Sequence, residues 1–311
     1  MSAYALGGKR VYVAGDRGMV GSALVKRLAR EDCDILTAPR SLDLRDQAAV
    51  RAWFDAERPH AVFLAAARVG GILANSELPG EFLYDNLMIA ANVIEAARGH
   101  EAERLLFLGS SCIYPKHTEQ PIPEGALLSG PLEPTNEPYA VAKIAGVKLV
   151  DAYRRQYGCD FISVMPTNLY GPGDTYDDRA SHVIPALLQR MHAAKKAGAP
   201  SVAIWGSGTP LREFMHVNDL ADACVFLMQN YAADGPINAG SGEEVSIAEL
   251  ARLVAQVVGY QGKTVFDASK PDGTPRKLMD SSRLARMGWH SQTPLADGLR
   301  DAYADFVRQR A

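Results

Sequence analysis

"VYVAGDRGMVGSALVKRL", residues 11–28, runs from a short apolar stretch through three glycines into a helical pattern. Gly15, Gly18 and Gly21 stand three apart, between the predicted strand and the predicted helix. Such a turn lets backbone N–H groups approach a pyrophosphate, and the helix N-terminus adds partial positive charge. The spacing is GxxGxxG rather than GxGxxG, and a tight turn with close helix–sheet packing would account for it equally well. Its place at the first strand–helix turn points to a dinucleotide, with Gly15, Arg17, Gly18, Met19, Val20 and Gly21 as candidate contacts.

The same alternation continues outward. "CDILTAPR" precedes "DQAAVRAWFDAE", "AVFLAAA" precedes "GEFLYDNLMIAANVIEAARGH", "RLLFLGSS" precedes "EPYAVAKIAGVKLVDAYRRQYG", and "DFISVMPTNLYGP" closes the series. Strands alternating with helices predict an α/β protein with a Rossmann-type, doubly wound parallel sheet. Near-continuous apolar strands suit a sheet covered on both faces. After "YGPGDTYDD" the pattern breaks, which predicts a second, smaller α/β substrate domain. The expected division is 1–170 plus 217–240 for the nucleotide-binding domain, and 171–216 plus 241–311 for the other.

Composition narrows the function. The chain has 311 residues, 47% of them hydrophobic, enough for a large core. A net charge of −3 without a Lys/Arg block argues against nucleic acid or an anionic membrane as partner. "MSAYALGGKR" holds no long apolar segment, so a cytoplasmic protein is expected. Cys33, Cys112, Cys159 and Cys224 form no CxxC pair, which fits neither a disulfide framework nor a metal site.

Which dinucleotide is bound depends on the second strand. An acid normally ends it when the ribose 2′-hydroxyl is free. Here "LTAPR" ends on Arg40, and Arg17 lies within the glycine loop. Two guanidinium groups favour a 2′-phosphate, hence NADP(H). Asp43 is placed either to accept from the adenine amino group or to cap the helix that starts near Asp46.

Tyr139 and Lys143 in "EPYAVAK" stand four apart, on one face of a predicted helix. A phenol is a poor acid at neutral pH, and a neighbouring ammonium is expected to lower its pKa. Lysine can also hold the nicotinamide ribose. A serine at the end of "LLFLGSS" could orient a substrate carbonyl. Together these groups would protonate an alcohol oxygen as a ketone is reduced.

These motifs resemble the extended short-chain dehydrogenase/reductase superfamily. More narrowly, "GDRGMVGSA", "AARVGGI", "GSSCIYPK", "LEPTNEPYAVAKIAG", "MPTNLYGP", "SHVIPALL" and "WGSGTPLREFMHV" resemble its GDP-4-keto-sugar epimerase/reductases, over nearly the whole chain. The resemblance implies reduction of GDP-4-keto-6-deoxy-D-mannose or a related GDP-sugar with NADPH, after epimerisation at carbons 3 and 5, by a homodimer. It gives a reason for the thiol beside the serines. A ketone at carbon 4 acidifies the hydrogens on carbons 3 and 5, and inversion needs a base on one face and an acid on the other. Cys112 and His182 occupy the positions that the family uses for this exchange, with Cys112 as base and His182 as acid.

The resemblance further implies Ser110 for the carbonyl, with Ser111 as fallback, Tyr139 as proton donor and Lys143 as its partner. Leu108, Gly109 and the backbone of Pro166, Thr167, Asn168 and Leu169 should border the cofactor, with His182 alongside. Arg190, Trp205 and Arg212 match sugar-nucleotide contacts, and Asp280 in "PRKLMD" would meet the guanosine. Trp205 could equally be a core residue of "VAIWG", and Asn168 could simply hold the "TNLYGP" turn.

Two departures stand out. Asp16 replaces a common histidine and would repel a 2′-phosphate, while "RASH" lacks the usual asparagine before Ser181–His182. Two rival readings stay open: action on another GDP-4-keto sugar such as a 6-deoxyheptose, and a non-catalytic NADP-binding protein.

Overall fold

The computed structural model describes residues 3–177, 181–270 and 272–310. The first half holds β1 (Arg10–Ala14), α1 (Met19–Leu28), β2 (Asp34–Leu36), α2 (Gln47–Glu57), β3 (Ala61–Leu64), α3 (Ile72–Glu77), α4 (Pro79–Gly99), β4 (Arg104–Leu108), α5 (Glu137–Tyr157), β5 (Phe161–Pro166) and β6 (Asn168–Tyr170). The second holds α6 (Val183–Ala197), β7 (Ser201–Trp205), β8 (Leu211–His216), α7 (Val217–Asn230), β9 (Ile237–Ala239), β10 (Glu244–Ser246), α8 (Ile247–Val258), β11 (Lys263–Asp267), β12 (Arg276–Lys277), α9 (Ser282–Arg286) and α10 (Leu295–Gln309).

The expected doubly wound sheet is present. Six strands lie in the order β2-β1-β3-β4-β5-β9, every pairing parallel. Strands such as β3, buried at all four residues, are apolar throughout because helices cover both faces. On one face, Leu24 and Leu28 of α1 and Leu220 and Leu227 of α7 pack over Val11, Val13 and Phe63. On the other, Phe54 of α2, Ile94 of α4 and Val147 of α5 pack over Tyr12 and Phe107. The chain leaves β1 for β2, then recrosses to β3. The carboxyl ends of β1 and β3 therefore flank a topological switch point, where ligands bind in such sheets.

Local chemistry sets the helix ends. The Asp46 carboxylate accepts from the N–H groups of Ala48 and Ala49 at 2.9 and 3.1 Å and starts α2. Gly158, at φ 70°, ends α5 in a left-handed conformation.

After β6 a second core forms from Tyr170, Leu187 and Leu188, Phe214, Leu250, Val254 and Leu299. It is framed by a four-stranded sheet, β10-β8-β12 with β6 also on β8, and by the parallel pair β7–β11. Leu220 of α7 and Ile237 of β9 belong to the first core, and so do Leu284 and Trp289, which lie beyond the boundary expected at residue 241.

Two buried polar side chains stitch the units together. Asn238, wholly buried, donates to the carbonyls of Ile122 (2.9 Å) and Asp280 (3.1 Å) and accepts from the Tyr114 hydroxyl at 2.6 Å. The Glu213 carboxylate accepts from the N–H groups of Gly242 (2.8 Å) and Met279 (3.1 Å). These bonds hold residues 276–280 against the segment that follows Ser110. Among the described residues no helix is long and apolar enough to cross a membrane, and no His/Cys/Asp/Glu cluster could hold a metal ion.

Candidate active site

The glycine loop has a shape that side chains would spoil. Gly15 sits at φ 89°, and a Cβ there would lie 2.7 Å from the Ala66 Cα. A Cβ on Gly21 would lie 1.9 Å from the Gly15 carbonyl oxygen. Gly18 is different: its Cβ would meet only the Gly15 oxygen, at 3.5 Å, an ordinary contact. Gly18 also begins α1 without a side-chain cap, so the first-turn N–H groups have no side-chain acceptor and suit a bound phosphate. Beside this turn, Tyr12, Asp16, Arg17, Ala38, Pro39, Leu42 and Leu44 line a hollow. Arg17 reaches across it to the Ala38 carbonyl, 3.5 Å away, over the end of β2. Arg40 is exposed and makes no hydrogen bond among the described residues. Asp43 is already engaged: Arg45 grips its carboxylate at 2.9 and 2.8 Å and holds it down at about 2. Arg45 also bonds Asp85, so Asp43 anchors an ion-pair chain instead of standing free for a base.

The acid–base groups come from the end of β4 and the start of α5. Ser110 caps a single 3₁₀ turn, Ser111–Ile113, its Oγ accepting from the Cys112 N–H at 3.3 Å. Its hydroxyl also lies against the Cys112 sulfur and the Tyr139 oxygen, where it favours the anionic form of each. Ser111 is buried. A Cβ on Gly109 would press on the end of the Met165 side chain, at 2.4 Å, and touch the Val164 carbonyl oxygen at 3.4 Å. One turn along α5 from Tyr139, Lys143 is 4% exposed and donates to the Leu108 carbonyl at 2.7 Å.

One expectation needs correction. The Tyr139 phenol is pushed up rather than down: burial, followed by the nearby Cys112, raises it, and Ser110 opposes the rise. The Lys143 nitrogen donates to the Leu108 carbonyl and lies 5.8 Å from the Tyr139 ring centroid, where it can steady a phenolate once one forms. Burial lowers Lys143 itself to about 8. The active ammonium is therefore lost as pH rises through that value. kcat/KM for ketone reduction should fall above about pH 8, and Lys143→Met, slower throughout, should lose that limb. A pH series following NADPH oxidation checks this.

Cys112 is 7% exposed and a free thiol, and burial pushes its pKa up. Lys277, Ser110, Lys143 and a backbone hydrogen bond of Cys112 itself oppose that rise, in that order. His182 is the N-cap of α6 and is exposed. Desolvation, and then the charge of Lys277, lower its pKa. The charge of Lys277 thus bears on both Cys112 and His182. Ser181 fixes the preceding loop: its Oγ donates to the Thr175 carbonyl and accepts from the Asp177 N–H, both at 2.7 Å. Arg179 and Ala180 of "RASH" lie outside the described residues.

The remaining candidates are dispersed. The Asn168 amide donates to the Glu213 carbonyl at 2.8 Å, so it holds the β6–β8 junction, and the Thr167 N–H donates to the Ala239 carbonyl at 3.0 Å. Trp205 is 61% exposed, which rules out the core reading; Arg190 and Lys270 flank its ring at 5.9 and 5.7 Å. Arg212 is partly buried and lies beside Asp272. Asp280 spends one carboxylate oxygen on the Ser282 N–H at 3.0 Å. It lines a second hollow with Met279, Trp289 and His290, which contains none of Arg190, Trp205 and Arg212 and none of Ser110, Cys112, Tyr139, Lys143 and His182. Sequence reading misses Lys277, because nothing in a lone lysine of "PRKLMD" shows which way its strand will face.

Residues 11–240 match the NAD dependent epimerase/dehydratase family. The GDP-L-fucose synthase of Sinorhizobium fredii is 57% identical over 99% of this chain and 98% of its own. The chain belongs to that family, among its GDP-L-fucose synthases. Two solved structures agree: a GDP-L-fucose synthetase from Naegleria fowleri bound to NADP (TM-score 0.92, 28% identity, 99% and 97% of the two chains), and a GDP-6-OMe-4-keto-L-xylo-heptose reductase from C. jejuni (TM-score 0.91, 34%, 99% and 100%). As a GDP-L-fucose synthase the chain is an enzyme that acts on a GDP-sugar and uses NADP(H), which sets aside the non-catalytic reading. The uncapped α1 terminus and Arg17 over the end of β2 fit that cofactor.

Proposed function

We propose that this chain converts GDP-4-keto-6-deoxy-D-mannose to GDP-L-fucose, inverting carbons 3 and 5 and then reducing carbon 4. The observation that carries the reading is the gathering of Ser110, Cys112, Tyr139 and Lys143 where the end of β4 meets the start of α5.

Ser110 and Tyr139 donate hydrogen bonds to the C4 carbonyl oxygen. The Cys112 thiolate takes a proton from the carbon beside it. The C–H electrons pass into the ring as an enolate, and protonated His182 returns a proton to the opposite face. In the resting site the thiol keeps its proton and the imidazole is neutral, so a proton shift from sulfur to ring creates base and acid together. The raised thiol pKa makes the thiolate scarce but strongly basic, which suits a weakly acidic C–H bond. Bound NADPH supplies the hydride for carbon 4. Tyr139 gives its proton to the resulting oxygen, and Lys143 and Ser110 steady the phenolate left behind.

The helix start at Gly18, with Met19, Val20 and Arg17, would hold the cofactor's phosphates, and Leu108, Gly109 and residues 166–169 would border its nicotinamide. Arg190, Trp205 and Arg212 would bind the GDP, the exposed indole offering a stacking face. A cytoplasmic homodimer is part of the same reading. It is supported by α4 and α5, which pack together and leave Tyr84, Leu87 and Val141 exposed.

Turnover of each candidate sugar with NADPH in deuterated buffer tests this. GDP-L-fucose with deuterium at carbons 3 and 5 is expected. The likeness to the heptose reductase favours a second reading, reduction of a GDP-4-ketoheptose. Turnover of that sugar alone, without deuterium at either carbon, would establish it.

A further inference from the structure

Nothing placed at the nucleotide so far tells one base from another. Arg190 and Arg212 suit a diphosphate, and an indole face stacks on any purine or pyrimidine. Asp280, the acid that the sequence offers for the guanosine, lies in a hollow that contains none of Arg190, Trp205 and Arg212. A group that reads the edge of the base has to stand beside Trp205.

β7 and β11 put one there. The two strands pair in parallel, with Ser201 opposite Lys263, Ala203 opposite Val265 and Trp205 opposite Asp267. Every second residue of β7 is exposed, and Trp205 ends that row. On β11, Lys263 and Val265 are exposed, and Asp267 is next in their row. Residues paired across neighbouring strands share a face, so the Asp267 side chain rises beside the indole, about 4.8 Å away across the sheet.

The Asp267 carboxylate is half committed. Its Oδ1 accepts from the Ser269 hydroxyl at 2.6 Å and from the Ser269 N–H at 3.1 Å, which fixes the turn after β11. Its Oδ2 accepts no hydrogen bond among the described residues. The bonds from Ser269 also hold the carboxyl below the usual carboxylate range, so it is charged. Asp272, the other acid of this segment, spends both oxygens on Ser207, at 2.6 and 2.9 Å. The Lys270 N–H donates to the Asp267 carbonyl at 3.1 Å, and the Lys270 ammonium lies 5.7 Å from the Trp205 ring centroid. An ionised acid and a lysine thus share one aromatic face. Among the common bases only guanine carries two adjacent donors, N1–H and the 2-amino group, beside an acceptor, O6, and lysine suits that acceptor.

We propose that Asp267 is the specificity-determining residue for the base: with guanine stacked on Trp205, its free carboxylate oxygen accepts from the 2-amino group. The proposal rests on the reading of Trp205 as the nucleotide's stacking face. It gives the guanine a partner of its own, separate from the cations that serve the phosphates.

Hypoxanthine differs from guanine only in lacking the 2-amino group, so calorimetric titration of the NADP-loaded protein with GDP and with IDP isolates it. Wild type should bind GDP about tenfold more tightly, as expected for one hydrogen bond to an ionised acceptor. In Asp267→Asn the amide oxygen keeps the Ser269 bonds, and the NH₂ takes the place of Oδ2, a donor facing a donor. The preference for GDP should fall to about twofold or less through weaker GDP binding, with IDP and NADP affinities unchanged. Asp267→Ala, which removes both oxygens, should give the same ratio and guards against a rotated amide. A tenfold preference kept in both variants overturns the proposal, and so does a wild type that binds GDP and IDP alike. Trp205→Ala tests the underlying reading separately, since both nucleotides should weaken together in it. If neither weakens, the base does not stack on Trp205, and that reading falls along with the proposal.

Discussion

Tyr139→Phe should slow ketone reduction about a thousandfold, within the range for loss of a positioned general acid and equal to about 4 kcal/mol of barrier. The substitution is clean. The Tyr139 ring packs edge-on against Phe82, centroids 6.4 Å apart, and phenylalanine keeps that contact. Only the hydroxyl goes, and with it the proton that the new C4 oxygen needs. Lys143 does not replace it, because its nitrogen is already bonded to the Leu108 carbonyl. NADPH affinity should hold within about twofold, since no part of the glycine loop moves. Epimerisation precedes reduction and depends on Cys112 and His182, so the variant should still exchange carbons 3 and 5 with solvent and accumulate deuterated ketosugar. Single-turnover NADPH oxidation together with NMR of the sugar separates the two steps. A loss under tenfold would mean that another group is the acid.

Gly21→Ala should abolish measurable NADPH binding, while Gly18→Ala should fold normally. The contrast lies in what each new methyl meets. At Gly21 the three nearest atoms all belong to the loop backbone, at 1.9, 2.5 and 2.9 Å, and backbone cannot swing aside as a side chain can. The first strand–helix turn must shift, at a cost of about 1–3 kcal/mol or more, and the N–H groups aimed at the phosphates shift with it. At Gly18 the protein itself leaves room, so any weakening there reports contact with the cofactor. Fluorescence titration with NADPH, beside urea unfolding of both variants, reads the two effects separately. Normal binding by Gly21→Ala would mean that the turn does not hold the dinucleotide.

Much of the fold is legible in the residues. β1, β3, β4 and β5 are largely apolar because helices cover both faces, and an uninterrupted run such as "LLFL" suits no half-exposed strand. The glycine loop is legible because a methyl at Gly15 or Gly21 would collide with backbone. The second unit is harder. β10 and β12 hold three and two residues, and both are positioned by β8, far away in the chain. Lys277 inherits that difficulty: its direction is set by pairing that local sequence does not encode. Trp205 is ambiguous for a similar reason. It ends an apolar run but sits on β7, whose residues alternate exposed and buried, and it falls on the exposed side. The commitment of Lys143 to Leu108, and of Asp43 to Arg45, depends on rotamers and neighbours that spacing does not reveal.

The central claim is that one pocket carries proton exchange and reduction on the same ketosugar, with the sulfur of Cys112 as the exchanging base. The direct measurement is NMR of the product formed in deuterated buffer by wild type and by Cys112→Ser, both supplied with NADPH and GDP-4-keto-6-deoxy-D-mannose. The account predicts deuterium at carbons 3 and 5 of the wild-type product. It predicts a reduced but unepimerised, undeuterated sugar from the variant, with cofactor affinity intact. Deuterated GDP-L-fucose from Cys112→Ser at the wild-type rate would contradict it.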